Sequence, residues 1–350
     1  MSNVTAHTHA PIATATETAA SGATRRRLDD GRWHLQHGPI DLIVGADAAD
    51  GDEAAVRAAH DACWQRFTSV LSELVAELPL LRTPVSQTST GEDNPCQGPI
   101  ARRMWSACHP HRANYITPMA AVAGSVADEL IVAFKRPGVS RAFVNNGGDI
   151  ALHLTAGQQY KIGVFADLAA FHGPDHQAAF DGSLTLDATM AVRGIATSGW
   201  RGRSFSLGIA DSATVLARTA AVADASATIV ANAVNLDDAS IVRRPASSLK
   251  DDSDLGDLAV TVDVPPLPQP LIDLALTRGA QTAQQLCDDG TIEGAALFLQ
   301  HRARTVGIPA HDVRHVASRF TESISAPPDA AGPARHPHSP EASCLKYAAC

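Results

Sequence analysis

Asp224 and Thr228 stand four residues apart in the stretch AVADASATIVANAV. On a helix that spacing puts a carboxylate and a hydroxyl on one face, and Asn232 extends the row. These are hard oxygen donors of the kind Mg2+ takes, with water and phosphate completing its shell. The same row also suits a solvated helix face, and its small neighbours Ala223, Ala225, Ser226 and Ala227 suit tight helix packing. A second set of candidates lies upstream, in RGIATSGWRGRSFSLGIADSATVLA from Arg193 to Ala217. There Thr197, Ser198 and Gly199 make a turn of small residues beside Arg193, Arg201 and Arg203. Arginines in such a place either grip phosphate bidentately or are ordinary surface residues. A third set is Asn145, Gly147, Gly148 and Asp149 in VNNGGDI, where adjacent glycines permit positive φ and leave amides free to face a ligand.

These residues need elements to hold them. The stretch from Asp52 to Arg82 reads as one long amphipathic helix, with Val56, Ala59, Cys63, Phe67, Val70, Leu71, Leu74 and Leu78 at steps of three and four. Pro79 tends to end it. Thr117 caps and Pro118 opens a second helix, whose small residues let a backbone or ligand approach, and Gly138 stops it. Strands are expected over Ile40–Val44, around Ile150, Leu152 and Leu154, and in YKIGVFAD and GSLTLDATMAVRGIAT. Asp211 reads as the N-cap of a helix from Ser212 to about Ala233, and further helices fall near Pro270–Arg278 and Ile292–Thr305. Thr83–Gly98 reads as a polar loop. Strands and helices alternate irregularly, which favours a single α+β body. We expect a disordered N-terminal arm over 1–28, one domain over 29–320 and a disordered tail over 321–350.

Other chemistries fit less well. Ser198 lacks the flanking glycines of a nucleophile elbow, since Ala196 and Trp200 fill those places. The crowded Cys108, His109 and His111 have no second cluster to complete a transition-metal set, so they read as a polar loop. His336 and His338 read as solvated tail residues. The six cysteines form no CxxC pair, which suggests reduced thiols. A net charge of −9 over 350 residues argues against nucleic acid as partner, and no apolar run is long enough for a membrane span. The first 27 residues place arginines after a Thr/Ala stretch, the wrong order for a secretory signal, so a cytoplasmic location is expected.

The segments VNNGGDI, GIATSG and ADASAT, in that order, resemble the ApbE-like superfamily, whose best-known members are FAD:protein FMN transferases. The chain looks most like an uncharacterised, cytoplasmic branch of it. The resemblance spans roughly 116–234 and implies an ApbE-like α+β fold of mixed sheets packed with helices. It further implies Mg2+ held by Asp224 and Thr228, and FAD or FMN lying along Asn145, Gly147, Gly148, Asp149, Thr197, Ser198, Gly199 and Arg201. The implied chemistry is attack on a pyrophosphate, with metal and arginines offsetting developing charge. The chain departs from the transferases at Gly124, where they carry Lys, at Leu207, where they carry His, and at Ser212, where they carry Pro. Three readings follow: a Mg2+-dependent flavin transferase-like enzyme, a protein that binds the cofactor without transferring it, or an enzyme for another phosphorylated cofactor such as a pterin or deazaflavin. Trp200 is the leading candidate to stack on a flavin ring, with Tyr115 and Trp105 nearby in sequence.

Overall fold

Side chains along β5 (Val139–Asn146) and β6 (Asp149–Leu154) alternate between two buried faces. Ala142, Val144 and Ala151 join one apolar cluster, while Phe143, Ile150, Leu152 and Leu154 join another. A sheet buried on both faces must be covered on both, and that requirement sets the layers. The computed structural model describes residues 16–88, 93–164, 182–308 and 344–345.

The central sheet has ten strands in the order β1-β2-β3-β4-β5-β6-β9-β10-β13-β14, paired antiparallel throughout. Its other strands are β1 (Glu17–Thr18), β2 (Thr24–Arg27), β3 (Trp33–His37), β4 (Ile40–Ala48), β9 (Gly194–Ser198), β10 (Ser212–Ala217), β13 (Gly294–Leu299) and β14 (Arg302–Val306). One face carries the helices: α1 (Glu53–Ala76), α4 (Pro99–Cys108), α5 (Val122–Leu130), α6 (Ala220–Ala233) and α7 (Gln269–Asp288). The short helices α2 (Leu78–Leu81) and α3 (Val85–Thr88) follow α1. The opposite face is covered by the hairpin β7 (Gln159–Val164) and β8 (Gly182–Asp187), whose Tyr160, Ile162, Leu184 and Leu186 pack on Ile150, Ile195 and Leu216. β11 (Val242–Pro245) and β12 (Ala259–Asp263) form a separate ribbon, and β15 (Cys344–Leu345) pairs with β7.

α5 and α6 lie very close to each other and to the sheet. A Cβ on Gly124 would stand 2.2 Å from the Ala220 carbonyl oxygen, and one on Gly194 would stand 2.0 Å from the Thr219 carbonyl carbon. Each helix also caps the other. The Asp128 carboxylate on α5 accepts the N–H groups of Ala220 (3.0 Å) and Ala221 (2.8 Å), at the start of α6. Asp224 on α6 accepts the Gly124 N–H (2.9 Å), at the start of α5.

Several sequence expectations are corrected here. Ser212–Ala217 is a fully buried strand, not the first turns of a helix, and the N-cap of α6 is Thr219. Asp211 instead accepts from the Trp200 indole N–H (3.2 Å) and the Gln300 amide (2.6 Å). The region from Ile292 to Thr305 is the hairpin β13–β14, and the helix before it runs on to Asp288. The N-terminal arm is drawn into the sheet from Glu17, with Arg25 paired to Glu17 (2.6 Å) and Asp61 (2.9 Å). Thr83–Gly98 holds a helical turn and the buried Cys96. Residues 1–15 and the tail outside Cys344–Leu345 lie outside the described residues. Among the described residues, no helix is long and apolar enough to cross a membrane.

Candidate functional site

The turn between β5 and β6 contains only Gly147 (φ 63°) and Gly148 (φ 111°), with Asn146 paired to Asp149 across it. Two consecutive positive φ values need glycine, which accounts for the pair. Asn145 locks the turn from below, its Oδ1 accepting the Gly148 amide (2.8 Å). β6 pairs with β9, so the turn lies beside the end of β9, where Ser198 and Gly199 leave the sheet. Gly199 is the second corner: a Cβ there would stand 2.5 Å from the Asp211 carbonyl oxygen. α6 then passes over β9 and β10.

These pieces enclose one cavity of about 770 Å³. It is lined by Asn146, Gly147, Asp149, Thr197, Ser198, Gly199, Asp224 and Thr228, so the three sequence motifs converge on a common space. α6 buries Ala223, Ala225, Ser226 and Ala227, while Asp224, Thr228 and Asn232 stay partly accessible, as their spacing of four predicts. Asn232 is engaged with its own chain, its Oδ1 accepting the Leu207 amide (2.9 Å) and the Ser206 hydroxyl (3.1 Å).

Asp149 and Asp224 dominate the electrostatics. Both lie deep in the molecule, and what surface they retain opens into the cavity. Burial pushes the Asp224 carboxyl up to about 7, against the N–H groups of Gly124 and Ala123 that favour its ionised form; the charge of Asp128 adds to the rise. Burial also holds Asp149 well above the usual carboxylate range, reinforced by the charge of Asp224 and opposed by the Thr197 amide (3.3 Å). Among the described residues neither carboxylate is ion-paired. Two close carboxylates without a cation are costly, and a proton or a bound divalent ion relieves the cost. With the Thr228 hydroxyl they form a hard oxygen set, and the residues fit Mg2+ on that chemistry. Among the described residues no three His, Cys, Asp or Glu side chains form a metal cluster, so water or phosphate oxygens would complete any shell.

The remaining walls divide by character. Ile40, Leu71, Leu74, Leu81, Ile116 and Val126 are apolar, and Arg82, Arg203 and Lys250 are basic, the last two exposed and Arg82 half-buried. The loop carrying Lys250 is tied across the cavity by the Tyr115 hydroxyl, which donates to the Asp254 carbonyl (2.5 Å), and by Thr117, which donates to the Asp254 carboxylate. Arg203 stands beside a motif in the sequence; no motif marks Arg82, Lys250 or Asp254, which arrive through tertiary packing.

Three of the named residues fall outside the cavity wall. Asn145 is beneath the turn and Gly148 is buried behind it. Arg201 lies over the Trp200 ring (4.8 Å) and 3.8 Å from Asp211. Arg193 is spent on the carbonyls of Met190, Val192 and Ala188. Only Arg203 of the three sequence-flagged arginines lines the space. Trp200 is not the stacking group, since its indole bonds Asp211, and Trp105 is stacked on His109 (4.4 Å) instead. Tyr115 and Phe205 supply the aromatic surface. Gly124, which the sequence sets where the transferases carry Lys, has no room for any side chain, and its neighbour Ala123 lines the cavity. Leu207 faces it as well. His109–His111 forms a helical turn with His111 buried against Ser226 (3.3 Å), not an open polar loop.

Over residues 25–306 the chain matches the model of a family described as AbpE bacteria. It is 34% identical to a UPF0280 protein of Methanothrix thermoacetophila over 168 residues, which covers 48% of this chain and 65% of that one. It is 37% identical over 157 residues to a UPF0280 protein of Methanosphaerula palustris, covering 44% and 61%. These matches span just under two thirds of those relatives' length. A UPF0280 protein of Methanopyrus kandleri is 30% identical over 224 residues, covering 63% of this chain and 83% of its own. Among solved structures, the apo flavinyl transferase ApbE of Pseudomonas stutzeri aligns over 89% of this chain and 99% of its own, at 11% identity and a TM-score of 0.36.

Proposed function

The chain belongs to the AbpE bacteria family, and from that premise we propose that its cavity binds FAD, FMN or a related phosphorylated cofactor together with Mg2+. The observation that carries this reading is the meeting of Asp149, Asp224 and Thr228 with the Gly147 and Gly199 corners in one partly apolar space. Mg2+ there would neutralise phosphate charge and, by polarising a phosphoryl oxygen, open the phosphorus to attack. The chain's own residues do the rest. Asp224 and Thr228 would hold the ion, with Asp149 lining the same cavity. The glycine corners admit a close backbone approach, and Ser198 offers a hydroxyl to the ligand. The leucine and isoleucine walls exclude water from a ring system. Chemistry at a pyrophosphate follows naturally from this arrangement.

A second reading is favoured by Gly124 and Leu207, which stand where the transferases that the sequence resembles carry Lys and His; Leu207 lines the cavity, and Gly124 has no room for a side chain. On this reading the protein retains the cofactor without transferring it. Fluorescence titration of purified protein with FAD and FMN, in Mg2+ and in EDTA, tests the shared claim. Binding strengthened by Mg2+ in the wild type and indifferent to it in Asp224→Asn supports the proposal; equal binding in both buffers for both proteins contradicts it. Incubation with FAD and mass analysis of the products then separates turnover from retention.

A further inference from the structure

Three basic side chains from separate elements reach the open rim of the cavity. Arg82 follows α2, Arg203 sits in the loop between β9 and β10, and Lys250 sits in the loop between β11 and β12. Arg203 has no ion-pair partner within 4 Å among the described residues. Arg82 and Lys250 share one carboxylate: Asp252 lies 2.9 Å from the Arg82 guanidinium and 3.7 Å from the Lys250 ammonium. The other end of the same cavity holds Asp149 and Asp224, whereas at the rim the carboxylates of Asp252 and Asp254 stand among these cations.

We propose that Arg82, Lys250 and Arg203 form a second anion subsite, which takes a negatively charged group of the ligand remote from the phosphate at the acidic end, and that Asp252 is the internal carboxylate this group displaces. The inference rests on the cavity being a cofactor site, and it narrows the ligand class. The ligand carries an apolar ring and two separated anionic portions, one for the metal end and one for the rim.

Asp252 does not need to be there for the fold. The loop is already anchored by Asp254, through Tyr115 and Thr117. Asp252 itself is exposed, and exposed ion pairs contribute little to stability. A phosphate or carboxylate arriving with a buried ring meets the two cations that flank Asp252 together, and Arg82 can offer it a paired contact that a screened surface carboxylate cannot hold against it. The arrangement therefore behaves as an occupied anion site rather than as a latch.

The two possibilities predict opposite signs. FMN and riboflavin differ by one phosphate, and in EDTA the acidic end repels that phosphate, so any preference for FMN reports the rim. The wild type in EDTA is expected to bind FMN roughly tenfold tighter than riboflavin, as one charge-assisted contact allows. The double variant Arg82→Gln, Lys250→Gln is expected to lose most of that preference. Asp252→Asn is expected to increase it severalfold, because the competing carboxylate is gone. Lys250 and Asp252 are exposed and Arg82 is half-buried, and far-ultraviolet circular dichroism checks folding. An unchanged FMN-to-riboflavin ratio in both variants overturns the inference alone, as does weaker FMN binding in Asp252→Asn, the latch outcome. Failure of the wild type to bind either flavin in Mg2+ or in EDTA overturns the proposed function, and this inference with it.

Discussion

Asp224 serves two ends with one carboxylate. It caps the start of α5 through the Gly124 amide, and it presents its remaining lone pairs to the cavity. Asp224→Ala therefore confounds ligand loss with cap loss, whereas Asp224→Asn keeps an acceptor for the amides. Asp224→Asn is expected to abolish the Mg2+-dependent part of cofactor binding, and Thr228→Val to weaken it by roughly tenfold while leaving the fold intact. Titrations with Mg2+ at fixed flavin measure both. The raised Asp224 carboxyl has a further consequence. Its folded value of about 7 lies above the ordinary 3.8. Between those limits the folded chain keeps a proton that the unfolded chain releases, so stability falls as pH rises through that window, and the raised Asp149 carboxyl acts in the same direction. Bound Mg2+ requires the proton off, so its stabilising effect grows over the same window. Thermal unfolding from pH 5 to pH 8, in EDTA and in Mg2+, checks both slopes. Asp224→Asn is expected to flatten them.

At the scale of elements, the site depends on how closely α5 and α6 approach. Gly124→Ala drives a methyl into the Ala220 carbonyl, which is backbone and cannot rotate away. We expect a loss of about 1–3 kcal/mol, read as a fall in Tm of roughly 2–4 °C per kcal/mol. Asp128→Ala removes the acceptor of the Ala220 and Ala221 amides and should cost about 1–2 kcal/mol. The sequence made part of this layer legible. Turn residues and the row at Asp224, Thr228 and Asn232 were visible because they follow local rules of φ and helical period. The strands Ser212–Ala217 and Gly294–Leu299 were not, because every residue in each is buried. A strand covered on both faces has no alternation to read, and SATVLA and GAALFL contain enough Ala and Leu to pass for helix. Asp211 mimicked a cap because the residues it serves, Trp200 and Gln300, lie far from it in sequence.

Across the whole molecule, the cavity draws on residues from Pro39 to Leu255. Its acidic end is written in short motifs, and its rim is not. Arg82, Tyr115 and Asp254 meet only because α1, α4 and the β11–β12 loop fold against one another, and no spacing announces that. The central sheet is continuous from β1 to β14, and α6 adjoins both the cluster under α1, α4 and α5 and the one under α7. We therefore expect the domain to unfold in one calorimetric transition, moved upward as a whole by Mg2+ with cofactor according to ligand concentration. Two resolved transitions would separate the halves that this account joins.

The central claim is that Asp224 and Thr228 gather a divalent cation in this cavity, and crystals of the protein soaked in Mn2+ test it most directly. An anomalous peak is predicted within coordination distance of the Asp224 carboxylate and the Thr228 hydroxyl, near the 2.0–2.2 Å typical of hard cations on oxygen, about the spacing Mg2+ itself demands. No peak there at saturating Mn2+, with Asp224 still bound only to backbone amides of α5, would contradict it.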